Sequence, residues 1–406
     1  MTSLANQLAC NANASIKIHS TILGIAIVDA LGGPAEFHTR FKFPPVFSMI
    51  PNDNFGLPAG VWTDDTSMTL CLARSLARRG VFDEQDQMDA YASWHRSGVL
   101  SAIDKCFDIG ATISQAIHVY ERSNSPTEGL KKIKEKLSGS DMSGNGSLMR
   151  VAPIGLAYWR SDDDELREFA RRSSAVTHPS PMCLEACEVW SLALARIMRA
   201  TTSATTLSKL DLLELFNTFP YRNSDLRAAL SCKIPTDNSE NYLQTHHPIL
   251  KLIADVRTEN PQAAIAPKQG EKKQKKKENL FDYFLSATER AFKDPAQGKL
   301  PALPSVNDLP STGYVLDTIV AALYCFFSTT SFEDGAIAAV NLGSDADTVG
   351  AIYASIAGCF YGCEDSSPRA AEFMSERVRE WTKHLVRKDT VVQVAGELVK
   401  FAHGQI

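Results

Sequence analysis

Helical period runs through nearly every apolar segment of this chain, and it constrains the fold more than any other feature. The segment from Thr63 to Gly80 is typical: Asp64 and Asp65 open it, Leu70, Leu72 and Leu76 follow, and Arg78, Arg79 and Gly80 close it. Carboxylates at the start and arginines at the end complement the helix dipole, and glycine is a natural stop. The same period recurs over residues 16–31, 164–174, 181–200, 314–327, 348–360 and 368–385. Alternating Val/Ile/Thr runs joined by hairpin turns, the mark of a sheet, do not form a series here. The sequence therefore predicts an all-α chain.

Composition sets the outer bounds. At 406 residues, 44% of them apolar, the chain has room for one large core. A net charge of -5 argues against a dominant nucleic-acid footprint. No basic segment followed by a long apolar core opens the chain. No uninterrupted apolar run reaches bilayer length; the best, residues 314–327, is short and carries Asp317. The expectation is one domain over residues 1–406, monomeric and cytoplasmic, with the nucleus as a second location, and with no membrane or sequence-specific nucleic-acid partner. The nine scattered cysteines read as reduced, buried thiols of an intracellular protein. Cys183 and Cys187 share a helix face, as do Cys359 and Cys363, but no further Cys or His stands at ligand spacing, so both pairs read as core rather than zinc. Residues 237–311 differ in composition, with "KQGEKKQKKKENL" and "LPALPSVNDLP". They read as an insertion or mobile loop region containing one helix, residues 280–292. The lysine run, residues 268–277, reads as a solvated loop dispensable for chemistry.

Four stretches place acidic or small polar residues at the edges of apolar helices. In "VDALGGPAEF", Asp29 and Glu36 read as a solvated helix end and a loop carboxylate. In "GVWTDDTSM", Thr63 could cap a helix, yet Thr63, Asp64 and Asp65 offer more oxygen donors than a cap uses. In "SGNGSLMRVAP", Gly144, Asn145, Gly146 and Ser147 form either an ordinary turn or a set of backbone N–H groups aimed at an anion. The fourth, "NLGSDADTVG", sets Asp345, Asp347 and Thr348 within four positions. Carboxylates this close repel unless a cation or a proton neutralises them. Taken alone, the stretch allows a metal site, a phosphatase-type nucleophile or a solvated helix start. The phosphatase reading needs a hydrophobic strand ending at Asp345, whereas "AIAAVNLGSD" puts Asn, Gly and Ser there among helical neighbours. Hard cations take oxygen ligands, and two of them close together need several carboxylates. The T-D-D and D-x-D-T stretches would supply that shell from two helix starts.

Seven motifs in order, "GIAIVDALGGPAEF", "GVWTDDTSM", "DIGATISQAI", "SGNGSLMRVAPIGL", "VTHPS", "GYVLDTIVAALYCF" and "AVNLGSDADTVGAIYASIAGCFYG", resemble those of the ADP-ribosylglycohydrolase family. The resemblance spans most of residues 24–362 and implies a single orthogonal helical bundle with two Mg2+ ions, or Mn2+ as a substitute, at the mouth of an ADP-ribose cleft. It implies hydrolysis of the bond between ADP-ribose and a protein side chain or a small acceptor. Matched motif by motif, Thr63, Asp64 and Asp65 would hold one metal, Asp345 and Thr348 the other, and Asp347 would bridge. Glu36 matches a mobile loop carboxylate near the scissile bond. Gly110, Ser143, Gly144, Asn145, Gly146 and Ser147 would line the diphosphate and ribose channel, and His178 would stand near the nucleotide. Asp108 would position Gly110, and Asp317 would be structural. Cleavage builds oxocarbenium character on the ribose, and Asp345 or Glu36 would take a proton from water.

Three positions depart from the family pattern. Val28 stands where glycine usually precedes the aspartate, Ser355 where glycine is common, and Met142-Ser143 where some relatives place an aromatic. The first two bear on packing and the third on substrate choice. The acceptor is left open: arginine, serine, O-acetyl or polymer linkage. The alternative to an enzyme is a catalytically silent ADP-ribose-binding or structural relative, which would have no need of six oxygen ligands.

Overall fold

Helix α1 (Ala14–Gly32) has apolar residues on every face, and Lys17 and Asp29 are its only Lys, Arg, Asp or Glu residues. A helix of that kind is stable only when surrounded by others. In the computed structural model, which describes residues 3–203, 206–233, 240–259 and 300–404, α1 lies in the middle of the protein. Asn13 caps it by accepting from Ile16 N at 3.0 Å. Six further helices carry the argument: α2 (Asp64–Arg79), α3 (Ala111–Glu121), α4 (Pro181–Ala200), α5 (Val315–Ser328), α6 (Ala346–Tyr361) and α7 (Lys388–Gly404). Every residue of α6 is buried. It packs along α1, while α4 and α5 cover its other sides and α7 covers α1 and α2.

The α1–α6 pair is antiparallel and very close. Lys17 Nζ reaches Phe360 O at 3.0 Å at one end. At the other, a Cβ on Gly32 would fall 2.5 Å from Asp347 Cα and 2.9 Å from Ala346 O. The two family departures are accommodated in this core. Val28 packs against Gly350, where a Cβ would meet Val28 Cγ1 at 2.8 Å. Ser355 Oγ donates to Ile352 O at 2.7 Å and accepts from Trp190 Nε1 at 2.9 Å.

The all-α expectation holds: the described residues contain only isolated backbone bridges and no strand. Two details differ. Residues 368–385 break into Ala370–Phe373 and Glu376–His384, because Ser375 Oγ accepts from Val378 N and starts a new helix. The longest apolar stretch is Ala14–Ala35 rather than residues 314–327; it has the length and hydropathy of a membrane span, but 78% of that window is buried inside the fold. All nine cysteines are free; Cys183, Cys187 and Cys359 are buried and Cys363 is half-buried.

Within residues 237–311, helix Pro248–Glu259 packs on α5 and buries Ile249, Ile253 and Val256. The helix expected over residues 280–292 and the lysine run at 268–277 lie outside the described residues. The stretch that follows is held by one buried side chain. Arg40 donates to Pro304 O (2.7 Å), Ser305 O (2.9 Å), Leu309 O (2.7 Å) and Ser311 Oγ (3.2 Å), and also to Leu342 O (2.9 Å). It thus ties residues 304–311 to the turn that opens α6.

The contact at Gly32 yields a prediction. A methyl group there meets backbone atoms, which cannot rotate aside, so α1 and α6 must separate. Gly32→Ala is expected to lower stability by about 1–3 kcal/mol in a denaturant titration, the usual range for overpacking. An unchanged midpoint would show that the pair is looser than described.

Candidate active site

The C-terminal end of α1 meets the first turns of α2 and α6, and the acidic motifs come together there. Asp29 is fully buried, not the solvated helix end that its sequence suggested. It caps α2 from across the core, accepting from Thr63 N (2.9 Å), Thr66 N (3.0 Å), Thr63 Oγ1 (2.9 Å) and Thr66 Oγ1 (2.5 Å). Because Asp29 satisfies these donors, Thr63 makes no cap with its own side chain. Its hydroxyl instead stands 3.3 Å from Asp65 Oδ2 and 3.4 Å from Asp347 Oδ2. Thr348 Oγ1 donates to the same Asp65 Oδ2 at 3.1 Å, across 283 positions of sequence. Thr63, Asp65, Asp347 and Thr348 therefore form one cluster.

Asp345 sits at the N-cap of α6, half-buried, and its backbone N–H is fixed by Ser311 O at 3.0 Å. Asn145 Nδ2 donates to Asp345 Oδ2 at 2.6 Å and to Thr318 Oγ1 at 3.0 Å. Glu36 is buried. Asn54 Nδ2 holds its loop through Gly33 O (3.1 Å) and Glu36 O (3.0 Å). Two short backbone bonds, Phe37 N to Ser344 O and Ser344 N to His38 O, both 2.7 Å, dock that loop on the α6 turn. Glu36, Asp108 and Asp347 each place a carboxylate oxygen within 4.8 Å of the others. Sequence reasoning treated Asp108 only as a support for Gly110. Phe37, Asp108 and Ser344 all have left-handed backbones, at φ 64°, 60° and 60°. Such strain in non-glycine residues gathers at functional sites.

A cleft of about 640 Å3 opens over these groups. Glu36, Asp64, Asp108, Asp345, Asp347 and Thr348 line its acidic side; Gly110, Gly144, Asn145, Gly146 and His178 also line it. Gly110 is the N-cap of α3, whose first N–H groups thus face the cleft. A Cβ on Gly146 would meet Ile113 Cδ1 at 2.8 Å and His178 Cε1 at 2.9 Å, so this wall admits no side chain. Ser143 and Ser147 depart from expectation. Their hydroxyls turn inward, Ser143 pairing with Ser180 at 2.6 Å and Ser147 accepting from Ser174 at 2.8 Å, so neither side chain lines the cleft. His178 does line it, with Nδ1 paired to Thr177 Oγ1 at 2.9 Å. Burial holds its pKa down at about 3, so the ring is neutral. Asp317 binds Thr312 Oγ1 at 2.6 Å and does not line the cleft.

The electrostatics of the site are one-sided. Four buried carboxylate oxygens, Glu36 Oε2, Asp65 Oδ1, Asp108 Oδ2 and Asp347 Oδ1, have no hydrogen-bond partner. Burial and then neighbouring carboxylates push Asp64, Asp65 and Asp347 well above the usual carboxylate range. Burial, followed by the charges of Asp347, Asp108 and Asp345, drives Glu36 to about 12. Burial raises Asp108 to about 7, and raises Asp29 to about 6 against the pull of the Thr66 and Thr63 hydrogen bonds. No Lys or Arg among the described residues forms an ion pair with any of them. An array of hard oxygen donors, buried and unneutralised, fits divalent cations.

Comparison with known proteins points the same way. The profile of the family described as ADP-ribosylglycohydrolase matches residues 12–404. The chain is 27% identical to an ADP-ribosylarginine hydrolase of Pseudomonas putida, covering 91% of this chain and 76% of that protein. It is also 27% identical to the ADP-ribosyl-(dinitrogen reductase) glycohydrolase of Rhodospirillum rubrum, covering 84% and 85%. An ADP-ribosylhydrolase of Mus musculus is 23% identical over 86% of this chain and 84% of its own. A solved structure titled ADP-ribosylglycohydrolase-related protein complex superposes with a TM-score of 0.59 at 28% identity, over 96% of this chain and 99% of that one.

The raised carboxyls predict how stability follows pH. A group whose folded pKa exceeds its unfolded value keeps a proton in the fold that the unfolded chain has released, so stability falls as pH rises between the two. Between pH 7.5 and 8.5 the unfolded carboxylates are fully ionised, the buried imidazoles of His178 and His247 are neutral in both states, and Glu36 at about 12 stays protonated in the fold. Each such group removes about 1.4 kcal/mol per pH unit. In chelator, the melting temperature is expected to fall steadily over this range, and less steeply in Asp347→Asn. A flat or rising profile would contradict the buried, unpaired state of the cluster.

Proposed function

The chain belongs to the ADP-ribosylglycohydrolase family and is an ADP-ribosyl glycohydrolase, and on that premise we propose that it is a Mg2+-dependent enzyme that releases ADP-ribose from ADP-ribosylated arginine side chains. The observation that carries the metal dependence is the set of four partnerless carboxylate oxygens, three on residues that line the cleft and the fourth on Asp65, which shares the Thr63 hydroxyl with Asp347. The donors are all oxygen, with no thiol or imidazole among them, which suits Mg2+, with Mn2+ as a substitute. Thr63, Asp64, Asp65, Asp345, Asp347 and Thr348 would hold two ions, and Asp108 stands close enough to Asp347 to join them. The bound ions would supply positive charge against the ribose oxygens and lower the pKa of water.

The chain's own residues divide the remaining work. The glycines at 110, 144 and 146 leave the wall bare, so a diphosphate can approach backbone N–H groups and the start of α3. Neutral His178 offers a hydrogen bond without adding charge. Asn145 fixes the rotamer of Asp345, which is aimed at the cleft as an acceptor of a proton from water. Glu36, in the raised and protonated condition set by its neighbours, can give a proton to a departing group or take one once cations neutralise those neighbours. The arginine acceptor is favoured by the name of the Pseudomonas putida relative, an ADP-ribosylarginine hydrolase. A guanidine also leaves with less need of a proton than a serine alkoxide does.

Two variants test the reading. Calorimetric titration of the chelator-stripped protein with Mg2+ is expected to show binding that Asp347→Asn weakens at least about tenfold, because one carboxylate charge is lost from the shell. Glu36→Gln is expected to lower turnover of an ADP-ribosyl-arginine substrate by about 10²–10⁴-fold, the range for a proton-transfer group, with Mg2+ affinity nearly unchanged. Mg2+ binding indifferent to Asp347→Asn would remove the metal assignment. Full turnover in Glu36→Gln would make Glu36 a bystander, and loss of metal affinity there would make it a ligand.

A further inference from the structure

Three phenylalanines flank the acidic end of the cleft, two beside a carboxylate residue and the third beside the asparagine that holds the Glu36 backbone. Phe37 follows Glu36, Phe107 precedes Asp108, and Phe55 follows Asn54, whose amide holds the Glu36 carbonyl. Their rings form a continuous edge-to-face row, with centroids 6.1 Å apart for Phe37–Phe55 and 5.7 Å for Phe55–Phe107. Phe37 is 65% exposed and Phe55 37% exposed, while half-buried Phe107 packs on the core, so the row runs from the core edge out to solvent. Burial does not explain it. Phe37 lines the cleft from a left-handed backbone at φ 64°, held there by its N–H bond to Ser344 O. No Lys or Arg among the described residues lies over any of these rings, although eight such contacts exist elsewhere.

We propose that Phe37, Phe55 and Phe107 form the acceptor shelf of the enzyme, seating the guanidinium of an ADP-ribosylated arginine beside Glu36 and Asp108 and so setting specificity for that linkage. The inference rests on the functional reading above. With ribose and diphosphate directed toward the bare glycine wall, the group on the far side of the scissile bond emerges past the residues flanking Glu36. A guanidinium is planar, cationic and weakly hydrated, and it stacks on aromatic faces that have no other cation. The carboxyl oxygens of Glu36 and Asp108 at the base of the row can accept hydrogen bonds from its N–H groups. Serine and acetyl acceptors are neutral and lack the planar cation, so they gain little from the same surface.

The test compares Phe55→Leu, Phe37→Leu and Phe55→Tyr with the unchanged protein. All are at exposed positions, and Phe55→Tyr keeps the aromatic face. The readouts are kcat/KM for ADP-ribosyl-arginine and for O-acetyl-ADP-ribose, and the calorimetric affinity for ADP-ribose. Both leucine variants are expected to lower the arginine-to-acetyl ratio of kcat/KM by about tenfold, within the range of a cation–π contact. Phe55→Tyr is expected to keep the ratio, and ADP-ribose affinity to stay constant throughout. An unchanged ratio in both leucine variants overturns the shelf. So does a parallel loss of ADP-ribose affinity, which would mean that the rings seat the nucleotide instead. Failure of the unchanged protein to hydrolyse either compound overturns the functional reading itself and the shelf with it, an outcome distinct from an active enzyme indifferent to these rings.

Discussion

Mutual repulsion among buried carboxylates is the constraint on which this structure turns. Glu36, Asp64, Asp108, Asp345 and Asp347 line one cleft, Asp29 and Asp65 lie buried beside them, and no arginine or lysine among the described residues is ion-paired to any of the seven. A fold can hold such a group only by fixing each member against its neighbours. It does so here with neutral donors and helix ends. Thr63 and Thr66 serve Asp29, Thr348 serves Asp65, and Asn145 serves Asp345. Asp64, Asp65 and Asp347 lie in the first turns of α2 and α6, where the helix dipole favours negative charge. These contacts moderate the repulsion without removing it, as the partnerless oxygens show.

The rest of the architecture serves to keep those elements from moving apart. The close antiparallel pairing of α1 and α6 brings Asp347 to the end of α1, and Asp29 then fixes the start of α2 to the same place. Arg40 does the equivalent for the turn before α6. By gathering the carbonyls of Pro304, Ser305, Leu309 and Leu342, it places Ser311 to hold Asp345. Arg40 lines the cleft, but its donors are spent on Pro304, Ser305, Leu309 and Leu342 carbonyls and on Ser311 Oγ, so it fixes position without pairing with the carboxylates. The acidic cluster thereby remains unneutralised by the protein, which is the condition for capturing cations from solution.

Much of this was legible in the sequence, because the signals were local. Helical period indicated the all-α class, and the acidic helix starts marked Thr63–Asp65 and Asp345–Thr348, which the fold places side by side, with Asp64, Asp345, Asp347 and Thr348 lining the cleft and Thr63 and Asp65 buried next to them. What could not be read depends on contacts distant in sequence. Asp29 looked like a helix-end carboxylate, and only its apolar flanks, "AIV" and "AL", hinted at burial. Asp108 gained its place from a left-handed turn that no periodicity predicts. The inward rotation of Ser143 and Ser147 depends on Ser180 and Ser174 across the core. Nothing in the polar-aromatic stretch "FHTRFKF" distinguishes Arg40 as a buried staple, since its partners lie more than 260 positions away.

An acidic cleft built as a cation site for catalysis must take up metal at its carboxylates. The most direct measurement is anomalous diffraction from crystals grown with Mn2+, which scatters where Mg2+ does not. Two strong peaks are expected inside the cleft, in contact with carboxylate oxygens of Asp65 and Asp347, with Asp345 or Asp64 completing the shell. A cleft free of anomalous density at saturating Mn2+, or density confined to surface carboxylates, would contradict it.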